Sequence, residues 1–405
     1  MDAPVAYLGA AMFVEASGLG AVFPLLARIQ AAHHLATWTL GLLSAASFLA
    51  AVAAQVGVSR LLDGARARWV LLAGLLTGGG ALIWFALAGD LWQLVASRAL
   101  LGVSFGIVEP AALREAAVGA EGERRGQRLG IIGSCMMAGI VVGPLLGTLL
   151  ARLGGLALPF ESLGGLMAVL AVAAPLVPRR VAQGEDAGDV RTAMPKLGSR
   201  PVIAVLLLAA ASQLPTGFYD SLWSRLLTDR GASSLLIGLS LTVFGIPFMV
   251  FAPFGGRMAE RRGPLLAASI GMVIAAAFMA VYGVIPSPVV VILLGVGESC
   301  AQCLAIPGGF AAVARVFPES NAAAGQGLYA GAGTATAGLT ALAAAPIYSA
   351  FGGGTAFGLG AAMSACLALS ALAIGRGSQL GPAVPAPAPD VPAGRPSQEA
   401  HPACP

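Results

Sequence analysis

Charged residues are scarce in this sequence. Asp, Glu, Lys and Arg make up 10% of its 405 residues, whereas soluble globular chains carry about 25%. So few charges exclude a solvated globule, because such a chain has too little polar surface to face water. The formal net charge is only +4, and we expect no nucleic-acid partner.

Other absences narrow the class further. The 5 cysteines are an odd number, and all but Cys404 lie in apolar segments, which argues against a disulfide framework. Cys300 and Cys303 have the spacing of a metal or redox pair but no second pair, so we expect no metal site. Gly78–Gly80 lacks the Lys-Ser or Lys-Thr of a phosphate-binding loop. No nucleotide-binding domain is recognisable, so we predict that ATP does not drive this protein directly. We also expect no enzymatic activity and no cofactor.

Hydrophobic residues, in contrast, make up 57% of the chain and form long runs typical of transmembrane helices. We predict an all-α membrane protein with twelve spans, the first being a retained helix rather than a signal peptide. The predicted spans are 5–28, 37–59, 68–88, 91–114, 126–151, 156–177, 200–224, 233–256, 265–285, 289–315, 323–350 and 354–375.

The twelve spans divide into two similar halves. Asp63 and Glu260 are 197 residues apart, as are Pro110 and Pro307, which indicates parallel repetition of a six-helix unit. We therefore predict six-helix bundles over 1–177 and 200–376, a cytoplasmic loop over 178–199 and a disordered cytoplasmic tail over 377–405.

Basic residues predict the orientation. With the N-terminus inside, 18 of the 23 Lys and Arg residues fall on the inner side, 4 on the outer side, and Arg98 lies within a span. This distribution follows the positive-inside rule and predicts a multi-pass cell-membrane protein with both termini in the cytoplasm.

The fifth span carries a glycine repeat with a proline. Gly139, Gly143 and Gly147 recur every fourth residue, which places them on one helix face where another helix can approach closely. Pro144 favours a bend at the same point. This Gly-x-x-x-Gly-Pro-x-x-Gly pattern resembles the antiporter motif of the major facilitator superfamily. The resemblance implies a superfamily fold and exchange of a substrate for protons.

A second resemblance concerns the segment between spans eight and nine. Gly256, Arg257, Glu260 and Gly263 resemble the superfamily's cytoplasmic motif Gly-x-x-x-Asp-Arg-x-Gly, with Arg261 and Arg262 alongside. The first-half copy keeps Asp63, Arg66 and Arg68, but Ser59 replaces its leading glycine. The resemblance implies a loop whose charged pairs latch the halves in one access state. Positive-inside charge without any gating role is the alternative.

Ionisable residues within the spans are the candidates for proton coupling, because charges at lipid depth are costly unless they are paired or hydrated. Arg98 lies in Leu94-x-x-x-Arg98-x-x-x-Gly102, which resembles a superfamily motif whose arginine is tied to proton transfer. Glu15 lies at a similar predicted depth, and we hypothesise that the two approach each other in one access state. A static structural pair is the alternative.

Two further carboxyl groups belong to this set. Glu298 is deep in the tenth span and is a plausible proton carrier. Asp220 is nearer the outer end of the seventh span, where it could instead reach the interface beside Arg225.

Aromatic and amide residues within the spans are candidates for lining a substrate cavity. Such an apolar lining favours hydrophobic or amphipathic substrates over sugars. The candidates are Phe13, Gln55, Gln213, Phe218, Tyr219, Trp223, Phe244, Phe248, Gln302 and Tyr329.

Taken together, these patterns predict a proton-driven exporter of small hydrophobic compounds, working as a monomer in the lipid bilayer by alternating access. Two alternatives stay open at this point. One is an importer, symporter or uniporter for a metabolite on the same fold. The other is a membrane receptor or assembly factor that transports nothing.

Overall fold

The computed structural model describes residues 3–58, 67–118, 122–176, 195–318, 321–378 and 380. All regular secondary structure within these ranges is helical. The helices are α1 (Ala3–Val22), α2 (Leu26–Ala32), α3 (Trp38–Val58), α4 (Ala67–Leu87), α5 (Leu91–Ala117), α6 (Gly122–Gly154), α7 (Leu158–Ala173), α8 (Arg200–Thr228), α9 (Ser234–Arg262), α10 (Pro264–Tyr282), α11 (Pro288–Val316) and α12 (Ala322–Gly375).

These helices account for twelve membrane crossings. α1 and α2 form one crossing, joined by a 3-10 turn at Phe23–Leu25. α9 is bent by 48° between Phe248 and Pro253 and makes one crossing. α12 has 54 residues and a non-helical Gly352. At about 1.5 Å per residue it is far longer than the roughly 30 Å hydrocarbon core, so it crosses twice. The predicted all-α fold of twelve spans is confirmed.

The outer surface of the bundle is apolar. Large hydrophobic side chains such as Leu87, Val172 and Leu293 are exposed on the helices, which suits lipid rather than water. Trp69 and Trp92 lie exposed near helix ends, where tryptophan is enriched at the membrane interface. The chain is therefore a multi-pass membrane protein.

The two halves repeat the same packing pattern. In the first half α1 packs on α6, α3 on α5 and α4 on α7. The corresponding pairs in the second half are α8 on α12, α9 on α11 and α10 on α12. The expected six-helix repetition is therefore visible in the helix pairings. Most of the predicted central loop and tail, 177–194 and 381–405, lies outside the described residues, and the predicted domain boundaries stay predictions.

The helix ends define two sides of the bundle. We call the side with connections 33–37, 88–90, 229–233 and 283–287 the distal side. The opposite side, where α1 begins and α12 ends, is the terminal side.

Candidate functional site

The glycine face of α6 packs directly on α1. A β-carbon on Gly143 would lie 2.7 Å from the carbonyl oxygen of Ser17, and one on Gly147 would lie 2.8 Å from Cβ of Ala21. Both distances are shorter than a real side chain allows, so only glycine permits this approach. The predicted close-packing face is present, and its partner is the helix that carries Glu15. α6 runs through Pro144 as one helix, and the predicted bend there stays a prediction.

An ion pair joins the two halves in their distal part. Nη2 of Arg98 on α5 lies 3.2 Å from Oδ2 of Asp220 on α8, and both side chains are 1% exposed. Nε of Arg98 donates to the carbonyl oxygen of Leu43 at 3.4 Å, while Nη1 finds no hydrogen-bond partner among the described residues. The pair is thus buried but incompletely satisfied, the condition in which removing either charge is expensive.

The hypothesised approach of Glu15 to Arg98 is not formed in this structure. Glu15 is fully buried, and its Oε1 accepts a 2.8 Å hydrogen bond from Ser104 on α5. Ser104 lies six residues beyond Arg98, or about 9 Å along a helix. Depths along the first half alone do not reveal the partner Asp220, which the facing half places at the level of Arg98. The suggestion that Asp220 reaches the interface beside Arg225 is also wrong for this structure, because Asp220 is buried and pairs with Arg98.

Glu298 forms a second polar centre inside the second half. Its carboxylate is fully buried and accepts from Tyr282 at 2.6 Å and from Gln302 at 2.9 Å. The hydroxyl of Tyr219 lies 2.7 Å and 2.8 Å from its two oxygens. Tyr282, which closes α10, was absent from the sequence-based candidates because a tyrosine at a span end is typical of the membrane interface.

The cavity candidates do not share one environment. Phe13, Gln55, Gln213, Tyr219, Phe244, Phe248 and Gln302 are half-buried. Trp223 is buried and its Nε1 donates to Ser240 at 2.9 Å. Phe218 packs on Phe357 and Tyr329 packs on Phe310, so both fill the core of the second half. Their predicted lining role stays untested.

The charged motif is helical rather than a loop. Residues 256–262 form the last turns of α9, and Gly263, with φ of 93°, separates α9 from α10. This positive φ favours glycine, and Pro264 then begins the next helix. Arg257, Glu260, Arg261 and Arg262 are exposed on the terminal side. Asp63 and Arg66 of the first-half copy lie outside the described residues, and Arg68 is half-buried at the start of α4.

Both seams between the halves are closed in their distal parts. At the α3–α12 seam, a β-carbon on Gly41 would collide with the carbonyl of Ala341. At the α6–α9 seam, Thr242 donates to the carbonyl of Val141 at 2.7 Å. Near the distal ends, Arg225 donates to Gln30 at 3.2 Å.

Seven glycines on the terminal parts of these helices have open space beside them. A β-carbon added to any of these seven would meet nothing within 4 Å in the described part of the chain. The glycines concerned are Gly57 on α3, Gly126, Gly130 and Gly133 on α6, Gly256 on α9, and Gly327 and Gly331 on α12. The contacts between the halves described above lie in their distal parts, whereas these terminal glycines have open space beside them.

Twelve membrane crossings in two repeated halves, with contacts between the halves in their distal parts, suit a transporter rather than an enzyme. The family comparison agrees: the model of the Major Facilitator Superfamily matches residues 8–223 and 205–402. The chain belongs to the Major Facilitator Superfamily.

Two curated relatives are multidrug proteins. The chain is 26% identical over 266 residues to the multidrug resistance protein MdtG of Proteus mirabilis, covering 62% of this chain and 66% of that one. It is 27% identical over 207 residues to a multi-drug resistance efflux pump PmrA homolog of Lactococcus lactis, covering 49% of this chain and 50% of that one. The matched stretches thus span about two thirds and half of these relatives.

A solved structure shares the fold. It is a bacterial homologue of the human lysosomal transporter Spinster in an inward-facing and occupied conformation, with a TM-score of 0.75 and 14% identity. The match covers 91% of this chain and 94% of that one. At this identity the likeness concerns the fold alone.

Proposed function

We propose that this protein exports small hydrophobic or amphipathic compounds, such as drugs or natural products, in exchange for protons across the cell membrane. The buried Arg98–Asp220 pair carries the proposal, because it joins the halves and contains a group that a proton can neutralise. The multidrug relatives support the substrate class. The energy source would be the proton gradient, with no cofactor, and the monomer would be the working unit.

The access state follows from the seams and the basic residues together. By the positive-inside rule the terminal side faces the cytoplasm, so the state with closed distal seams is open inward. In it a substrate can enter between the halves from the cytoplasm or the inner leaflet. The exposed charges at 256–263 would form their latch only when the halves close on this side.

Proton exchange is coupled to this motion through the ion pair. When Asp220 takes up a proton, the pair loses its Coulomb attraction while Arg98 keeps its charge. The distal contact between the halves is then weaker, which favours opening to the outside. Glu15, held by Ser104, provides a second protonatable group on α1, and Glu298 a third in the second half.

The close packing at the glycine face supports movement of α1 and α6 together as one rigid unit. Side chains do not separate the two backbones at Gly143 and Gly147, so a shift of α6 against α9 also displaces Glu15. This link connects the antiporter motif to a candidate proton site by direct packing.

A susceptibility screen tests the proposal in cells. Cells that express the protein should tolerate higher concentrations of some hydrophobic toxic compounds than control cells, and an uncoupler should abolish the difference. Asp220→Asn should remove the tolerance at equal membrane expression. Greater accumulation of the compounds in expressing cells would instead indicate an importer and would overturn the proposal.

A further inference from the structure

The Glu298 centre has negative charge without a positive partner. No Lys or Arg among the described residues forms an ion pair with it; its partners are the hydroxyls of Tyr219 and Tyr282 and the amide of Gln302. Uncharged donors offset only part of the cost of burying a carboxylate. Glu298 lies ten residues into α11, about 15 Å from its distal end and hence near the bilayer midplane. A positive charge supplied by a ligand would therefore offset the remaining cost of burying the Glu298 carboxylate.

The hydrogen bonds are arranged for the ionised carboxylate. Glu298 is the only acceptor that either phenol finds among the described residues, so both hydroxyls donate towards it. Gln302 adds an N–H donor to Oε1. A carboxylic acid proton on Glu298 would reduce the acceptor capacity that these three donors use. Hydrogen bonds donated to a carboxylate favour its charged form.

Further aromatic rings pack against the two tyrosines that bind this charge. The ring centroid of Tyr219 lies 5.6 Å from that of Trp223, 6.4 Å from that of Phe244 and 6.3 Å from that of Tyr282. Trp223 and Tyr282 are 5.4 Å apart, and Phe357 stands 6.3 Å behind Tyr282. Five aromatic side chains from four helices thus form one connected cluster, and two of its members, Tyr219 and Tyr282, bind the carboxylate. A ring face attracts an organic cation that lies within about 6 Å of its centroid. We define the aromatic cage as these five residues with Glu298.

The aromatic cage has one accessible wall. Trp223, Tyr282 and Phe357 are buried, whereas Tyr219, Phe244 and Gln302 are half-buried. A ligand would approach from this wall and turn the Tyr219 hydroxyl and the Gln302 amide away from Oε1. The cation would then replace two neutral donors with one ionic contact.

We propose that the aromatic cage is the recognition site for the positively charged nitrogen or phosphorus centre of an organic-cation substrate, with Glu298 as its counter-charge. The inference rests on the proposed export function and specifies its substrate class. Glu298 would then serve in substrate recognition, while Asp220 and Arg98 serve in the coupling between the halves.

The test compares two probe ions of nearly equal shape and opposite charge. Tetraphenylphosphonium and tetraphenylborate are titrated into the purified full-length protein in detergent, with empty micelles as the blank, and binding is measured by isothermal titration calorimetry. We expect the wild type to bind the cation at least about tenfold more tightly than the anion, as a charge-assisted contact implies. Equal affinities, or tighter binding of the anion, would overturn the inference without recourse to any variant.

Variants locate the preference. Glu298→Gln should weaken binding of the cation about tenfold or more and leave the anion within about twofold, whereas Glu298→Asp should keep the preference. Phe244→Leu should weaken the cation about threefold, and its matched control Phe254→Leu, at a 59% exposed position of the same helix, should not. Undiminished charge preference in Glu298→Gln would show that the cation binds elsewhere.

The two proposals fail separately. Proton-driven export of neutral compounds by a protein without charge preference would sink the cation site and leave the exporter standing. Selective cation binding by a protein that moves no solute under a pH gradient would support the cation site and overturn the export function.

Discussion

Replacing Asp220 with Asn is the perturbation that the structure specifies best. The substitution keeps the side-chain shape but leaves the 1% exposed Arg98 as a buried charge without a counter-charge. Breaking such a pair costs about 3–5 kcal/mol. The penalty applies to the distally closed state, because opening the distal side would hydrate Arg98. At about 1.4 kcal/mol per tenfold, the ratio of closed to open molecules should fall at least about a hundredfold.

Spin-label distances measure this shift. Nitroxides at Ala36→Cys and Ser233→Cys, in a background without native cysteines, lie on distal connections of opposite halves. The wild type should give mainly short distances by double electron–electron resonance, and Asp220→Asn should add a longer population.

The control is at Asp229, directly after the end of the same helix. Asp229→Asn removes the Arg225–Asp229 pair, whose side chains are 33% and 36% exposed, and exposed pairs contribute only about 0–1 kcal/mol. It should leave the distances nearly unchanged. Equal effects of the two substitutions, or none from Asp220→Asn, would refute the role given to the buried pair.

Two other substitutions test the first half. Gly143→Ala places a β-carbon 2.7 Å from the Ser17 carbonyl and should destabilise the purified protein by about 1–3 kcal/mol, seen as a lower thermal unfolding temperature. Gly130→Ala, where a β-carbon meets nothing within 4 Å, should not, and equal stability of the two variants would contradict the close packing of α6 on α1. Glu15→Gln should abolish transport driven by a pH gradient in liposomes while leaving membrane insertion intact. The exposed Glu161→Gln should transport normally, and full coupling in Glu15→Gln would remove Glu15 from the mechanism.

The fold was predictable because the bilayer imposes a simple rule on sequence. A helix that crosses the hydrocarbon core must be apolar along its length, and twelve such apolar runs can be recognised in the sequence alone. The end of α9 near residues 256–263 was harder to predict from the sequence. A charged end of a helix resembles a loop in composition, and only the backbone at Gly263 shows where α9 ends.

The candidate site was predictable residue by residue but not pair by pair. Glu15, Arg98, Asp220 and Glu298 were identified because ionisable groups at lipid depth are unusual, and all four are buried. Their partners depend on contacts between distant segments. Arg98 and Asp220 are separated by 122 residues, and no local sequence pattern indicates that they are in contact.

The aromatic cage shows the same limit. Tyr219, Trp223 and Phe244 were candidates for a cavity lining, but Tyr282 and Phe357 come from other helices. What joins them is ring packing around Tyr219 and Tyr282, the two tyrosines that bind Glu298, a property of helix packing in the second half.

Proton movement on addition of substrate tests the central claim most directly. Purified protein is reconstituted in liposomes that contain a pH-sensitive dye, and tetraphenylphosphonium is added on one side without an imposed gradient. Coupled exchange predicts that protons leave the compartment that the cation enters, and that Asp220→Asn abolishes this flux. Cation uptake above that of protein-free liposomes, without any proton movement in the wild type, would contradict the account.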